Sequence, residues 1–322
     1  MKEAKDVTAM VIDRGLFVES AVRLARDFKR VLYHVPNDGD PFPRMNPTMI
    51  GNGLEGIEVA KEIWSYYDDI DLWVFPDCVM GSFQDWLVDS GECVWGSRMG
   101  EELELDRPYS KEVLHELKLP VGKHYLIKGI KELREFLKKN EEVYVKISEF
   151  RGTTESFFSP DYKSIEPHLD EMEFNLGPLK DIMEFDVEES LPDMTEVGSD
   201  SFCIDGKIPS LHLAGWEVKD AAFFGRIVKH SELPKPIQIV DEKLAKAMAS
   251  YGYRGFYSTE IRVTKDEVPY MLDFCARMGN PPGFLYSEMY SNFSEIVWKG
   301  ANGILVDPKP LAEYGVQLQM KS

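Results

Sequence analysis

Apolar and polar positions follow two different textures along the chain, and the change between them divides it. Residues 7–12 form a continuous β-rich apolar run, residues 17–28 space their apolar side chains as a helix does, and residues 30–35 are apolar again. Strand, helix and strand in that order predict a βαβ unit. A loop rich in Pro, Asn and Gly covers residues 36–53. Beyond it the pattern predicts a helix over 56–67, a buried strand over 72–75 and a short strand near Val94. Strands alternating with helices imply a parallel sheet with helices on its faces.

From Arg107 the texture changes. Helices are expected over 110–117 and 131–139, and residues 143–147 alternate as a strand. Further strands are expected over 185–189, 201–204, 255–263 and 270–274, with a helix over 243–250 between two of them. This half is α+β in character, with antiparallel pairing. The boundary falls near Asp106, giving domains 1–106 and 107–322, and the stretch from Pro308 is too short to form another. No internal repeat or low-complexity stretch is present.

Length and charge then narrow the function classes. At 322 residues and 43% apolar composition the chain exceeds what one core organises. Its 37 Lys and Arg stand against 56 Asp and Glu, a formal charge of -19 that repels a nucleic-acid backbone. Bulk nucleic acid is excluded as a partner. ATP is not, because magnesium screens phosphates and a few cations can converge locally. Cys78, Cys93, Cys203 and Cys275 form no CxxC pair or zinc spacing, and the start lacks the apolar segment of a signal peptide. A cytoplasmic setting is expected, and no apolar run approaches the roughly 18 residues that span a membrane. The six histidines show no paired metal spacing, and no Ser sits in a GxSxG elbow. Gly51, Gly53 and Gly56 spell GxGxxG, but after the Pro-rich loop rather than after the first strand, so no dinucleotide site is expected.

The most informative segment is GFYSTEIRVTKDEVPYMLDFCARMGNPPG, two strands joined by a polar turn, each offering a carboxylate: Glu260 and Asp273. Carboxylates on neighbouring strands suit magnesium, which takes oxygen ligands and commonly pairs one or two carboxylates with substrate phosphates. The alternative is a hairpin whose acids merely face solvent. Arg277, just beyond, can grip a phosphate or carboxylate bidentately. Lys146 lies inside the apolar strand VYVKIS, where a cation needs a partner or must snorkel to solvent. The loop EFRGTTES follows, and its Arg151, Gly152, Thr153, Thr154 and Glu155 can bring N–H and hydroxyl groups onto phosphate. The strand FDVEES and the loop after it offer Glu188, Glu189 and Glu196 for adenine and ribose, or simply as exposed acids of an acidic protein. Asp13, Arg14, Lys219, Arg226 and Tyr286 are weaker candidates for an acceptor pocket.

In order, these segments resemble the ATP-grasp superfamily over nearly the whole chain, in particular the phosphoribosylamine–glycine ligase-like proteins. DRPYSKEVLHELKLPVG resembles the family's lysine-bearing helix, VYVKIS its phosphate-binding strand, FDVEES its adenine hinge, and STEIRV with LDFCAR its metal strands. The resemblance implies a Rossmann-like pre-ATP-grasp parallel sheet followed by a two-lobed ATP-grasp domain, α/β plus α+β, with the lobes meeting near 185–190. It implies ATP and Mg2+ as cofactors, with Arg107 and Lys146 on ATP phosphates and residues 151–155 over them. It also implies Glu188 and Glu189 beside adenine, Glu196 near ribose, Glu260 and Asp273 on magnesium, and Arg277 facing the reacting carboxyl or phosphate. Arg107 stands where the family usually has Lys, and Cys275 where it usually has Asn; a thiol is a poor magnesium ligand. The chain stops before the extra C-terminal domain of the full glycinamide ribonucleotide synthetases. The expected activity is ligation of a small-molecule carboxylate to an amine through an acyl-phosphate, with a homo-oligomer left open. A kinase on the same fold and a non-catalytic nucleotide-binding protein are the alternatives.

Overall fold

The computed structural model describes residues 1–36, 50–148, 156–191, 194–218 and 221–318. The chain folds into two compact units. Unit 1 comprises Met1–Glu101, Glu196–Ile261 and Asp273–Ser322, and unit 2 comprises Glu102–Thr195 and Arg262–Leu272.

Unit 1 opens with β1 (Thr8–Ile12), α1 (Val18–Leu24), β2 (Arg30–His34), β3 (Ile57–Val59), β4 (Leu72–Val74), α2 (Gly81–Asp89) and β5 (Val94–Trp95). The five strands form a parallel sheet in the order β3-β2-β1-β4-β5. Every residue of β1 is buried. Strand geometry sends Ala9 and Val11 into one core with Tyr33, Leu72 and Val74, and Met10 and Ile12 into another with Leu32, Trp73 and Phe75. Burial on both faces explains the unbroken apolar run. The helix expected over 56–67 does not form. Ile57 and Val59 are β-branched, lie two residues apart, and pair with Val31 and Tyr33 of β2 as strand β3, while Trp64–Asp69 makes a 3-10 turn. Gly56, at φ +89°, itself lies outside the right-handed helical region.

Unit 2 contains α3 (Glu102–Leu105), α4 (Arg107–Glu116), β6 (His124–Lys128), α5 (Ile130–Leu137), β7 (Val143–Ile147), β8 (Ser156–Ser159), α6 (Tyr162–Leu176) and β9 (Glu184–Glu189). Asp106 caps α4 by accepting the Tyr109 N–H at 3.0 Å, and Pro108 occupies its first turn, where a missing N–H costs nothing. The strands run antiparallel in the order β6-β9-β7-β8. One face of this sheet sends Ile127, Val145, Phe185 and Val187 against Leu133 and Leu137 of α5 and Leu169 and Met172 of α6. At about 1.5–3 kcal/mol for each fully buried side chain of this size, that face fixes the register. Alternation then leaves the opposite face free for polar groups.

The chain continues with β10 (Thr195–Ile204), β11 (Leu211–Val218), β12 (Ala222–Lys229), α7 (Lys235–Ser250), β13 (Arg254–Val263), β14 (Pro269–Cys275), α8 (Pro282–Met289), α9 (Phe293–Ala301) and β15 (Tyr314–Leu318). A second sheet takes the order β14-β13-β10-β11-β12-β15, with antiparallel pairing of β11 to β12 and of β12 to β15. Phe202, Phe223, Phe256 and Phe293 share the core that receives Ala9 and Val11. Among the described residues no helix is long and apolar enough to cross a membrane.

Candidate functional site

Two polar arrangements stand out, one in each unit. In unit 2 the β7–β9 register sets Lys146 opposite Asp186 and Tyr144 opposite Glu188, on the face away from α5 and α6. Lys111, one helical turn after Arg107 on α4, joins them. Its Nζ donates to Glu188 Oε1 at 2.5 Å, and Lys146 Nζ lies 3.2 Å from Glu188 Oε2 and donates to the Leu272 carbonyl at 3.2 Å. Lys111, Lys146 and Glu188 are all buried, so one carboxylate holds two ammonium groups in a low-dielectric setting. Beside them His124 Nδ1 lies 2.9 Å from Asp186 Oδ1, and the buried Arg107 donates its backbone N–H to Ser148 Oγ at 3.3 Å. Fixed, desolvated cations of this kind are what a polyphosphate requires.

Glu189 goes elsewhere. As the next residue on β9 it projects from the other face, is exposed, and pairs with Lys123 at 2.7 Å and the Tyr125 hydroxyl at 2.9 Å. The Lys123 hydrogen bond holds its carboxyl below the usual range. Arg151, Gly152, Thr153, Thr154 and Glu155 lie outside the described residues, as does Lys219, and Glu196 falls on β10.

In unit 1 a cleft of about 360 Å³ opens beside β10, β13 and β14, lined among others by Asp200, Glu217, Glu260, Cys275, Arg277 and Asn280. Three carboxylates thus face one guanidinium among the described lining residues. Asp200 is buried, and its Oδ1 has no hydrogen-bond partner among the described residues. Burial pushes its carboxyl up to about 7, against the pull of Ser258 and Arg277. Gly279 permits this close approach, since a Cβ there would stand 2.2 Å from Asp200 Oδ1. Asp273, half-buried on β14, is not among the lining residues. A divalent cation fits this wall: it would satisfy the orphaned Asp200 oxygen, with Glu260 and Asp200 as the oxygen donors at hand.

Lys111 was within reach of sequence reasoning, because it shares a helix face with Arg107. Asp200, set among the polar residues of GSDS, carries no such signal. The weaker acceptor candidates have structural duties. Asp13 accepts the Gly15 and Phe17 N–H groups and the Tyr33 hydroxyl, Tyr286 is buried in the core, and Arg226 pairs with Glu313 at 2.9 Å on the surface.

No family model and no curated protein sequence matches the chain. Solved structures do. Phosphoribosylamine–glycine ligase from Thermotoga maritima superposes with a TM-score of 0.70 at 17% identity, covering 97% of this chain and 80% of that one. The fold is that of the ATP-grasp ligases. N5-carboxyaminoimidazole synthetase from Staphylococcus aureus complexed with ADP gives 0.66 at 13% identity, over 99% of this chain and 84% of that one. The biotin carboxylase–ATP-analogue complex from Campylobacter jejuni gives 0.61 at 14%, over 94% and 72%. The ATP-grasp fold, preceded by a parallel-sheet region, therefore extends over nearly the whole chain at identities where sequence comparison is silent.

Proposed function

We propose that this protein is an ATP-dependent carboxylate–amine ligase. The observation that carries the reading is the buried Lys111–Glu188–Lys146 group on an ATP-grasp fold, at the strands the sequence marked for phosphate and adenine. Lys146 and Arg107 bind the ATP phosphates, together with the 151–155 segment. Lys111 keeps Glu188 in place when Lys146 turns to phosphate. Glu188 and the main chain of Glu189 lie beside adenine, and Glu196 near ribose.

Glu260 and Asp273, with Asp200 as an additional oxygen donor, would hold magnesium, which would screen the charge of the transferring phosphoryl group. The substrate carboxylate attacks the γ-phosphorus, the bond to ADP breaks, and an acyl-phosphate forms. The amine then attacks the acyl carbon, and phosphate leaves as the amide forms. Arg277 orients the reacting carboxyl and offsets the oxyanion of the tetrahedral stage. The carboxylate and the amine are small molecules.

Calorimetric titration of ATP with and without magnesium is the direct test. Saturable, magnesium-enhanced binding that Lys146→Ala removes supports the reading, and phosphate release on adding a carboxylate and an amine separates a ligase from a kinase. No binding in either condition overturns it. Cys275 in the cleft wall favours one competing reading, a nucleotide-binding protein without turnover, which predicts tight ATP binding and no phosphate release with any substrate pair.

A further inference from the structure

The histidines gave no signal as a linear pattern, yet three elements of unit 1 bring two of them to one carboxylate. His212 stands on β11, His230 follows β12 in a 3-10 turn, and Asp241 lies on α7. His212 Nδ1 is 3.5 Å and His230 Nε2 is 3.6 Å from the same oxygen, Asp241 Oδ2, and the three donor atoms all lie within 4.8 Å of one another. Both separations exceed the 2.7–3.2 Å of an N–H···O hydrogen bond. They match instead the edge of a coordination tetrahedron: zinc bonds of about 2.0–2.1 Å to nitrogen and oxygen put neighbouring ligand atoms roughly 3.3 Å apart.

The surroundings point the same way. His212 is completely buried, and neither of its ring nitrogens makes a well-formed hydrogen bond among the described residues beyond a weak one to the Pro209 backbone; nor does His230 Nε2. Fully buried polar atoms of native proteins are almost always satisfied, so an orphaned imidazole aimed at a carboxylate oxygen asks for an occupant. Asp241 is itself completely buried, and Ser199 Oγ on β10 lies 3.1 Å from its Oδ1 and 3.0 Å from its Oδ2. A hydroxyl donating to a ligating carboxylate is the usual second layer of a metal site. His230 retains some exposure, 16% of its side chain, which provides a way in.

We propose that His212, His230 and Asp241 bind a late first-row divalent transition metal, zinc foremost, with a water in the fourth position. Two imidazoles and one carboxylate select against magnesium, which prefers an all-oxygen octahedron, and so set this site apart from the carboxylate cleft. The ion ties α7 to the sheet at β11 and β12. The inference is independent of the ligase reading, since none of these residues is assigned to ATP or substrate.

The test uses the full chain, stripped with chelator and titrated with zinc chloride by calorimetry, then with cobalt(II) followed by visible absorption. One equivalent of zinc should bind and raise the thermal midpoint, magnesium should not compete, and cobalt should give the intense bands of a tetrahedral site. His230→Gln, at the most exposed ligand, should abolish the site, and Ser199→Ala should weaken it about 10- to 100-fold. Zinc binding that His230→Gln leaves unchanged overturns the proposal, as does weak octahedral-type cobalt absorption or no zinc binding by the parent chain. The cobalt spectrum of the parent chain decides the matter even where a variant fails to fold.

Discussion

The polar face of the unit 2 sheet and the cleft of unit 1 handle buried charge in opposite ways. On the sheet face, two buried lysines converge on one buried glutamate, so each charge has a partner before any ligand arrives. In the cleft, the described lining residues set three acidic side chains beside Arg277, and burial of Asp200 raises its carboxyl to about 7. The first arrangement is a buried ion-pair group. The second gathers acidic side chains on one wall.

The sharpest way to break this comparison is to remove the carboxylate at the centre of each arrangement. Glu188→Gln removes the carboxylate that both buried ammonium groups share and should cost about 3–5 kcal/mol, seen as a lower urea midpoint. Lys146→Ala should be less harmful to folding, because Lys111 still satisfies Glu188. Its effect should fall on ATP-dependent phosphate release, reduced roughly 10²–10³-fold, or about 3–4 kcal/mol of transition-state stabilisation. If both variants lose stability equally and turnover is untouched, the lysines are structural and the sheet face is not a phosphate site.

Asp200→Asn should behave in the opposite sense to Glu188→Gln. With a folded-state value of about 7 against 3.8 for the free group, the folded protein keeps a proton that the unfolded chain releases between those pH values. Stability therefore falls as pH rises from about 4 to 7 and levels off above. Asn, which imitates the protonated acid, removes that loss: the variant should match the parent near pH 4 and exceed it by on the order of 4 kcal/mol at pH 8. The parent will keep some slope from Asp13 and Asp241, whose carboxyls burial also raises, to about 6 and about 8. Urea midpoints from pH 4 to 8 measure the difference, and a variant less stable than the parent at pH 8 would show that the folded state does not raise the Asp200 carboxyl above its ordinary range.

How far these features can be read from the sequence depends on whether they are local. Strand β7 and the lysine within it are legible because an apolar, period-2 run fixes the strand and a cation inside it is conspicuous. Strand β3 is not, because a three-residue strand carries too little pattern to compete with a helical reading of the same apolar positions. The partnership of Lys111 with Glu188, 77 residues away, depends on which helix packs beside which strand, and no local pattern encodes that. The same holds for His212, His230 and Asp241, which are separated by whole elements and meet only through tertiary packing. The pattern at Glu188 and Glu189 marks both acids as candidates, and only the sheet tells them apart.

Glu189 gives the smallest expected effect and the finest test of that distinction. It differs from Glu188 by one position, and strand geometry turns that single step into opposite faces. Its carboxylate is exposed and engaged by Lys123 and Tyr125, so solvent screens what the pair gains. The proposed contact with adenine uses the main chain of this residue, which Glu189→Ala leaves intact. ATP affinity and urea midpoint should therefore both stay within experimental scatter of the parent. A loss of ATP affinity comparable to that of Lys146→Ala would mean that the carboxylate itself meets the nucleotide, and that β9 presents its other face to the ligand.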